Sequence, residues 1–238
     1  MIKEMNFKSC LYLIPNLIGA TDVDDVLPKN LYSQISHIRH FIVEDIRNAR
    51  RFLRSLSKNF VIDDLTFYEL NKHTEIEQIE DYLKVSEQGL DIGLLSEAGL
   101  PCVADPGNLI VQLAHKKNIR VKPLSGPSSI FMALMASGMN GQNFAFNGYL
   151  PIDNSQKISK IKSLEARSRK ENQSQIFMDT PFRNDKLLSD LLSTLNPETY
   201  LCVASNISCE DEMIIRKKVA DWKKINISLN KKPCIFII

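Results

Sequence analysis

Residues 96–129 constrain this chain most. Two turns there, Ser96-Glu97-Ala98-Gly99-Leu100-Pro101 and Ser125-Gly126-Pro127-Ser128-Ser129, each follow a short apolar run, 92–95 and 121–124. Between them lie Asp105-Pro106-Gly107 and a helical pattern. Strand, loop, helix, strand, loop is the order of an open α/β sheet, which holds a small ligand in the loops at the carboxyl ends of its strands. Glycine at 99, 107 and 126 leaves no Cβ to keep a ligand off the backbone, and the adjacent prolines stiffen the turns. The chain has no G-x-G-x-x-G after its first strand and no G-x-x-x-x-G-K-S/T, so dinucleotide and P-loop phosphate sites lose their usual support.

The remaining segments supply a sheet around those loops. Residues 10–14 read as a strand ended by Pro15, followed by the loop Asn16-Leu17-Ile18-Gly19-Ala20-Thr21, and 41–43 read as a buried strand. Residues 44–57 carry Ile46, Ala49, Phe52, Leu53 and Leu56 at helical spacing, with Arg47, Arg50, Arg51 and Arg54 on another face. A second amphipathic helix is expected over 74–88, opened by a Thr74 and Glu77 capping box. Residues 128–137 predict a well-buried helix ended by Gly138, with Met132, Met135 and Met139 as core. Beyond Gly148-Tyr149-Leu150-Pro151 comes a basic helical stretch, 152–170. Strand patterns at 144–146, 175–178, 200–204, 213–215 and 233–238, with a helix over 184–194, call for a second sheet. Up to Leu150 the chain has 15 Lys and Arg against 17 Asp and Glu, and 15 against 11 thereafter, which points to a boundary near Pro151 and a more basic second part.

Several function classes lose support. A net charge of +2 is too small to argue for nucleic acid by itself. No apolar run approaches the roughly 20 residues of a membrane span. The amino terminus, with Lys3, Glu4 and Lys8, lacks a signal-peptide core, so a cytoplasmic location is expected. Cys10, Cys102, Cys202, Cys209 and Cys234 have no C-x-x-C spacing and read as buried reduced thiols. The four histidines show no ligand spacing, so no metal is expected, and Trp222 reads as a packing residue.

One ordered set of motifs carries a family resemblance: Ile14-Pro15-Asn16-Leu17-Ile18-Gly19; Glu44-Asp45-Ile46-Arg47 with Arg50-Arg51; Ser96 to Pro101 with Asp105-Pro106-Gly107; Gly126-Pro127-Ser128; Ala136-Ser137-Gly138; and Gly148-Tyr149-Leu150-Pro151. In register over about residues 11–183, it resembles the tetrapyrrole methylase superfamily, and most closely the branch that methylates a ribose 2′-hydroxyl of small-subunit ribosomal RNA. The resemblance implies a two-domain α/β fold, with a mostly parallel sheet and helices in residues 1–125 and a mixed sheet in residues 126–238. It implies S-adenosylmethionine in the cleft between the domains, and a homodimer. Cofactor contacts are expected at Pro15, Gly19, Ser96, Glu97, Ala98, Gly99, Pro101, Val103, Ala104, Gly126, Pro127, Ser128, Met178, Thr180 and Ala204. The substrate, ribosomal RNA or the small ribosomal subunit, is expected to meet Arg47, Arg50, Arg51 and Arg183. The chain has Glu97, Ala104 and Asn16-Leu17 where the branch has Asp, Ser and Thr-Pro. It has Asp179-Thr180-Pro181-Phe182-Arg183 for Glu-Ser-Pro-His-Arg, and Ser205-Asn206-Ile207-Ser208-Cys209 for Arg-Glu-Leu-Thr-Lys.

Methyl transfer from a sulfonium is mostly a matter of in-line positioning, but a ribose hydroxyl profits from a general base. Glu44, Asp45, Glu97 and Asp105 are the carboxylates at strand or loop ends, with Arg47 beside the first two; helix capping and ion pairing compete for each. Arg54 reads as a solvated side chain. Lys157, Lys160, Lys162, Arg167, Arg169 and Lys170 form either an RNA-facing ridge or a solvated helix face. A tetrapyrrole or other small acceptor, and a degenerate protein that binds the cofactor without catalysis, remain as alternatives.

Overall fold

A computed structural model describes residues 7–19, 22–71 and 73–238, so Lys3, Glu4 and the Ala20-Thr21 end of the first loop lie outside the described residues. The chain divides into two compact units, Met1–Pro127 and Ser128–Ile238. In the first, strands β1 (Cys10–Ile14), β2 (His40–Val43), β3 (Thr66–Glu69), β4 (Ile92–Leu95) and β5 (Arg120–Pro123) are interleaved with helices α1 (Val23–Val26), α2 (Leu31–Ile35), α3 (Ile46–Leu56), α4 (Ile76–Tyr82) and α5 (Asn108–Lys116). The strands form one sheet in the order β3-β2-β4-β1-β5, and every neighbouring pair is parallel.

A parallel sheet is covered by helices on both faces, so its central strands are apolar throughout. All four residues of β4 are buried, and Gly93 makes that possible: a Cβ there would lie 2.7 Å from Ile14 Cδ1 and 2.8 Å from Phe41 Cδ1. One face packs Ile14, Phe41, Val43 and Leu95 with Leu31, Ile35 and Leu53 of α2 and α3. The other packs Leu11, Ile42, Ile92 and Leu94 with Ile79, Ile110 and Ala114 of α4 and α5. All five carboxyl ends therefore share one edge. The chain leaves β1 towards β2 and leaves its neighbour β4 towards β5, in opposite directions along the sheet, which makes this pair the topological switch point.

The second unit contains α6 (Ser129–Ser137), β6 (Phe144–Tyr149), α7 (Asn154–Glu171), β7 (Ser174–Met178), α8 (Asn184–Thr194), β8 (Tyr200–Ser205), β9 (Met213–Lys218), α9 (Val219–Trp222) and β10 (Cys234–Ile237). Its sheet has the order β6-β7-β10-β8-β9, with β6 and β7 parallel and the other pairs antiparallel. The expected parallel and mixed sheets are both present.

Several local expectations need correction. Because β6 pairs with β7, the turn at Pro151 is internal to the second unit, and the charge change there reflects the exposed face of α7. Residues 74–88 split into α4 and a 3-10 turn, Leu83–Gln88. The capping box is formed by Glu75 and Gln78, whose Oε1 accepts from Glu75 N at 3.1 Å, while Thr74 Oγ1 accepts from Asn71 N. Strand β3 was not legible because it is a sheet edge with both end residues exposed. Helix α6 buries only one face: Phe131 is 51% and Met135 81% exposed, so Met135 is not core. All five cysteines are free, but Cys102 and Cys209 are only half-buried.

The basic ridge also dissolves in part. Lys157 is buried, with Nζ 2.7 Å from Asp190, and ties α7 to α8; Arg167 and Arg169 pair with Glu171 and Glu165 of their own helix. Trp222 is buried and donates from Nε1 to Leu201 O at 2.8 Å, as a packing residue should. Among the described residues no helix is long and apolar enough to cross a membrane. Removing one partner of a buried ion pair is costly. Lys157→Met leaves Asp190 with Lys186 alone, and the expected loss is about 3 kcal/mol, read as a lower urea midpoint at unchanged m-value.

Candidate active site

Three loops meet at the carboxyl edge of the first unit's sheet. Asn16, directly after Pro15, donates from Nδ2 to Ser96 O at 2.8 Å and Glu97 O at 3.2 Å, while its Oδ1 accepts from Leu17 N. Two backbone bonds run between the same loops, Asn16 N to Gly99 O at 2.8 Å and Gly99 N to Leu17 O at 3.2 Å. Gly99 adopts φ +66°, a conformation that favours glycine. The third loop closes on the first through Gly126, where a Cβ would stand 2.1 Å from Pro15 Cβ. Glycine at 126 thus admits the ring of Pro15, a close approach that the spacing of glycines and prolines along the chain does not show.

What these loops leave open is a lip of short side chains. Pro15, Ser96, Gly99, Pro101 and Pro127 are buried and shape the loops, whereas Gly19, Glu97, Ala98, Val103 and Ala104 are exposed. Cys102 and Ala104 hold φ of 67° and 60°, uncommon for residues with a Cβ and a conformation that surrounding contacts must enforce. One such contact is Asp105, whose Oδ1 accepts from Cys102 N at 3.3 Å and Gly107 N at 2.9 Å.

The four candidate carboxylates have different roles. Asp45 is the N-cap of α3, accepting from Asn48 N at 2.7 Å. Glu97 accepts from Asn48 Nδ2 at 2.7 Å. Glu44, at the end of β2, is hydrogen-bonded to the Asp105 carboxyl. Burial, that bond and the nearby charges of Asp105 and Glu97 push Glu44 up to about 7, against the pull of the Glu97 N–H. Glu44 can therefore accept or release a proton near neutral pH. Asn16 and Asn48, which hold Glu97 by its backbone and its carboxylate, are not singled out by the sequence: one is a departure from the related motif and the other lies inside an arginine-rich helix.

Arg47, Arg50, Arg51 and Arg54 are all exposed on α3. In the second unit Ser128 precedes α6, Met178 and Thr180 lie at the end of β7, and Ala204 is fully buried in β8. Arg183 donates from Nε to Asp179 Oδ1 at 2.8 Å, so its charge is engaged within its own loop. Among the described residues no three His, Cys, Asp or Glu side chains are grouped to hold a metal.

A family model for tetrapyrrole (corrin/porphyrin) methylases matches residues 29–222. The chain is 29% identical to a ribosomal RNA small subunit methyltransferase I from Buchnera aphidicola subsp. Schizaphis graminum, over all of this chain and 80% of the relative. A crystal structure of diphthine synthase aligns with TM-score 0.65 over 97% of this chain and 89% of its own, at 15% identity. A uroporphyrin-III C-methyl transferase from Thermus thermophilus, complexed with S-adenosyl homocysteine, aligns with TM-score 0.54 over 95% of each chain, at 13% identity. At these identities the two structures speak for the fold. Forcing apart the packed loops has a measurable cost: Gly126→Ala should destabilise the protein by about 2 kcal/mol in urea unfolding. Gly141→Ala, whose Cβ meets nothing within 4 Å, should leave the midpoint unchanged.

Proposed function

The chain belongs to the tetrapyrrole (corrin/porphyrin) methylase family of S-adenosylmethionine-dependent methyltransferases, and on that premise we propose that it methylates a ribose 2′-hydroxyl of small-subunit ribosomal RNA. The observation that carries this reading is the similarity, along the whole chain, to a protein named ribosomal RNA small subunit methyltransferase I. Glu44 favours a hydroxyl acceptor over a tetrapyrrole carbon, because a weakly acidic hydroxyl gains more from a base that titrates near neutral pH.

The exposed lip fits S-adenosylmethionine. Ala98, Val103 and Ala104 leave the main chain open beside an apolar surface, and the Glu97 carboxylate suits the hydroxyls of the cofactor's ribose. Gly19, Ser96, Gly99, Pro101, Pro15, Gly126 and Pro127 shape that lip. The bound cofactor supplies an electrophilic sulfonium methyl. Glu44 would take the proton released from the 2′-hydroxyl, and Asp105, fixed by two backbone N–H groups, would steady that proton on Glu44. Asp45 sets the start of α3, while Arg47, Arg50 and Arg51 face the RNA. The same reading places the chain in the cytoplasm as a homodimer, supported by Phe131, Met135, Phe144, Tyr149 and Ile152, large apolar side chains exposed on the second unit.

Purified protein, labelled S-adenosylmethionine and small ribosomal subunits lacking the modification should yield one methyl per rRNA, at a ribose that then resists alkaline cleavage; no incorporation sinks the proposal. Glu44 becomes the carboxylate as pH rises through about 7, so the rate at saturating cofactor should rise over that range. Glu44→Gln should lower it on the order of 10²-fold or more at pH 8 and flatten the profile. Because the folded protein holds Glu44's proton to higher pH than the unfolded chain does, stability at this site falls as pH rises from the ordinary carboxylate range towards 7. The same variant should therefore be more urea-resistant than wild type at pH 8 and equal to it at pH 5.

A further inference from the structure

Helix α3 reads Ile-Arg-Asn-Ala-Arg-Arg-Phe-Leu-Arg-Ser-Leu and contains no acidic residue. Ala49, Phe52 and Leu53 are its buried side, which leaves Arg47, Arg50, Arg51 and Arg54 outward at i, i+3, i+4 and i+7. Like charges at that spacing repel, by a few tenths of a kcal/mol per pair. The ordinary remedy appears in α7 of the same protein, where Arg167 and Arg169 each pair with a glutamate four residues away. On α3 relief is slight. Arg50 Nη2 meets Asp63 Oδ1 at 3.1 Å, Arg54 Nη1 donates to Phe60 O at 3.4 Å, and among the described residues Arg47 and Arg51 make no ion pair. Arg50, Arg51 and Arg54 line an open hollow of about 520 Å³ with Ser55, Ile62 and Asp63.

We propose that this face of α3 is a track for the phosphate backbone of the RNA strand flanking the methylated ribose, with Arg51 and Arg54 as its outer contacts. The proposal rests on the rRNA reading above and extends it to Arg54, which sequence alone assigned to solvent. The helix starts two residues after the base Glu44, directly after its N-cap Asp45. At 1.5 Å per residue the row from Arg47 to Arg54 runs about 10 Å away from the reacting end. Guanidinium forks suit phosphate oxygens, and four of them offset by Asp63 alone among the described residues present the charge complement of a polyanion rather than of a mixed protein surface.

The test is fluorescence anisotropy with a labelled single-stranded 20-nucleotide segment of small-subunit rRNA, from 50 to 200 mM salt, on the full chain. Arg51→Glu with Arg54→Glu should weaken binding about ten-fold or more and make the log-log salt dependence shallower by about 1.4, at about 0.7 per phosphate contact on a single strand. Reversal of Lys116 and Lys117, exposed at the end of α5, changes net charge equally and should leave the salt slope in place. Affinity and slope unchanged in the arginine variant, or equal losses in the lysine variant, would overturn the track. Calorimetric binding of S-adenosylmethionine, expected to be the same in all three proteins, shows that each is folded. A wild-type protein that binds the cofactor but not the RNA defeats the rRNA reading itself, and the track falls with it.

Discussion

The first unit's site depends on one side-chain amide. Asn16 uses both ends of its carboxamide at the mouth of the switch point: Nδ2 holds the loop after β4, and Oδ1 holds its own loop. The backbone exchange between Asn16, Leu17 and Gly99 lies beside it, and the contact of Pro15 with Gly126 brings in the third loop. A parallel sheet gathers its carboxyl ends at one edge but leaves the loops there without strand partners. Their buried polar groups have to be satisfied by one another. Asn16 performs that service where the related pattern has threonine, and the longer amide reaches two carbonyls at once.

From that fixed frame the electrostatics follow. Burial, and then the proximity of Asp105, which the N–H groups of Cys102 and Gly107 hold in place, push Glu44 up to about 7. Glu97 is a third charge on the same edge, and Asn48 ties its carboxylate to the first turn of α3. Burial and a few hydrogen bonds thus give three nearby carboxyls three different environments.

The two arginine-bearing helices show how similar composition is resolved differently. In α7 the arginines have glutamate partners along the helix and Lys157 is drawn inward to Asp190, so half of the six cations that look like a ridge in sequence are paired. In α3 the core takes every apolar position, and the helix has no acid of its own to offset its arginines.

Sequence by itself determined the alternation of strands and helices, the position of the ligand loops and the family, because short apolar runs, glycine-proline turns and motif order are local or linear signals. The same source placed Trp222 and the five strands of the second unit. It misjudged residues whose role depends on a distant partner. Gly126 answers to Pro15, Lys157 to Asp190, and Met135 to a helix face that nothing in the described chain covers. The edge strand β3, with half its residues exposed, left too weak an alternation to read. Which of four carboxylates carries a mobile proton was likewise a tertiary matter. Burial and the distance between charges set it, and neither is written in the spacing of residues along the chain.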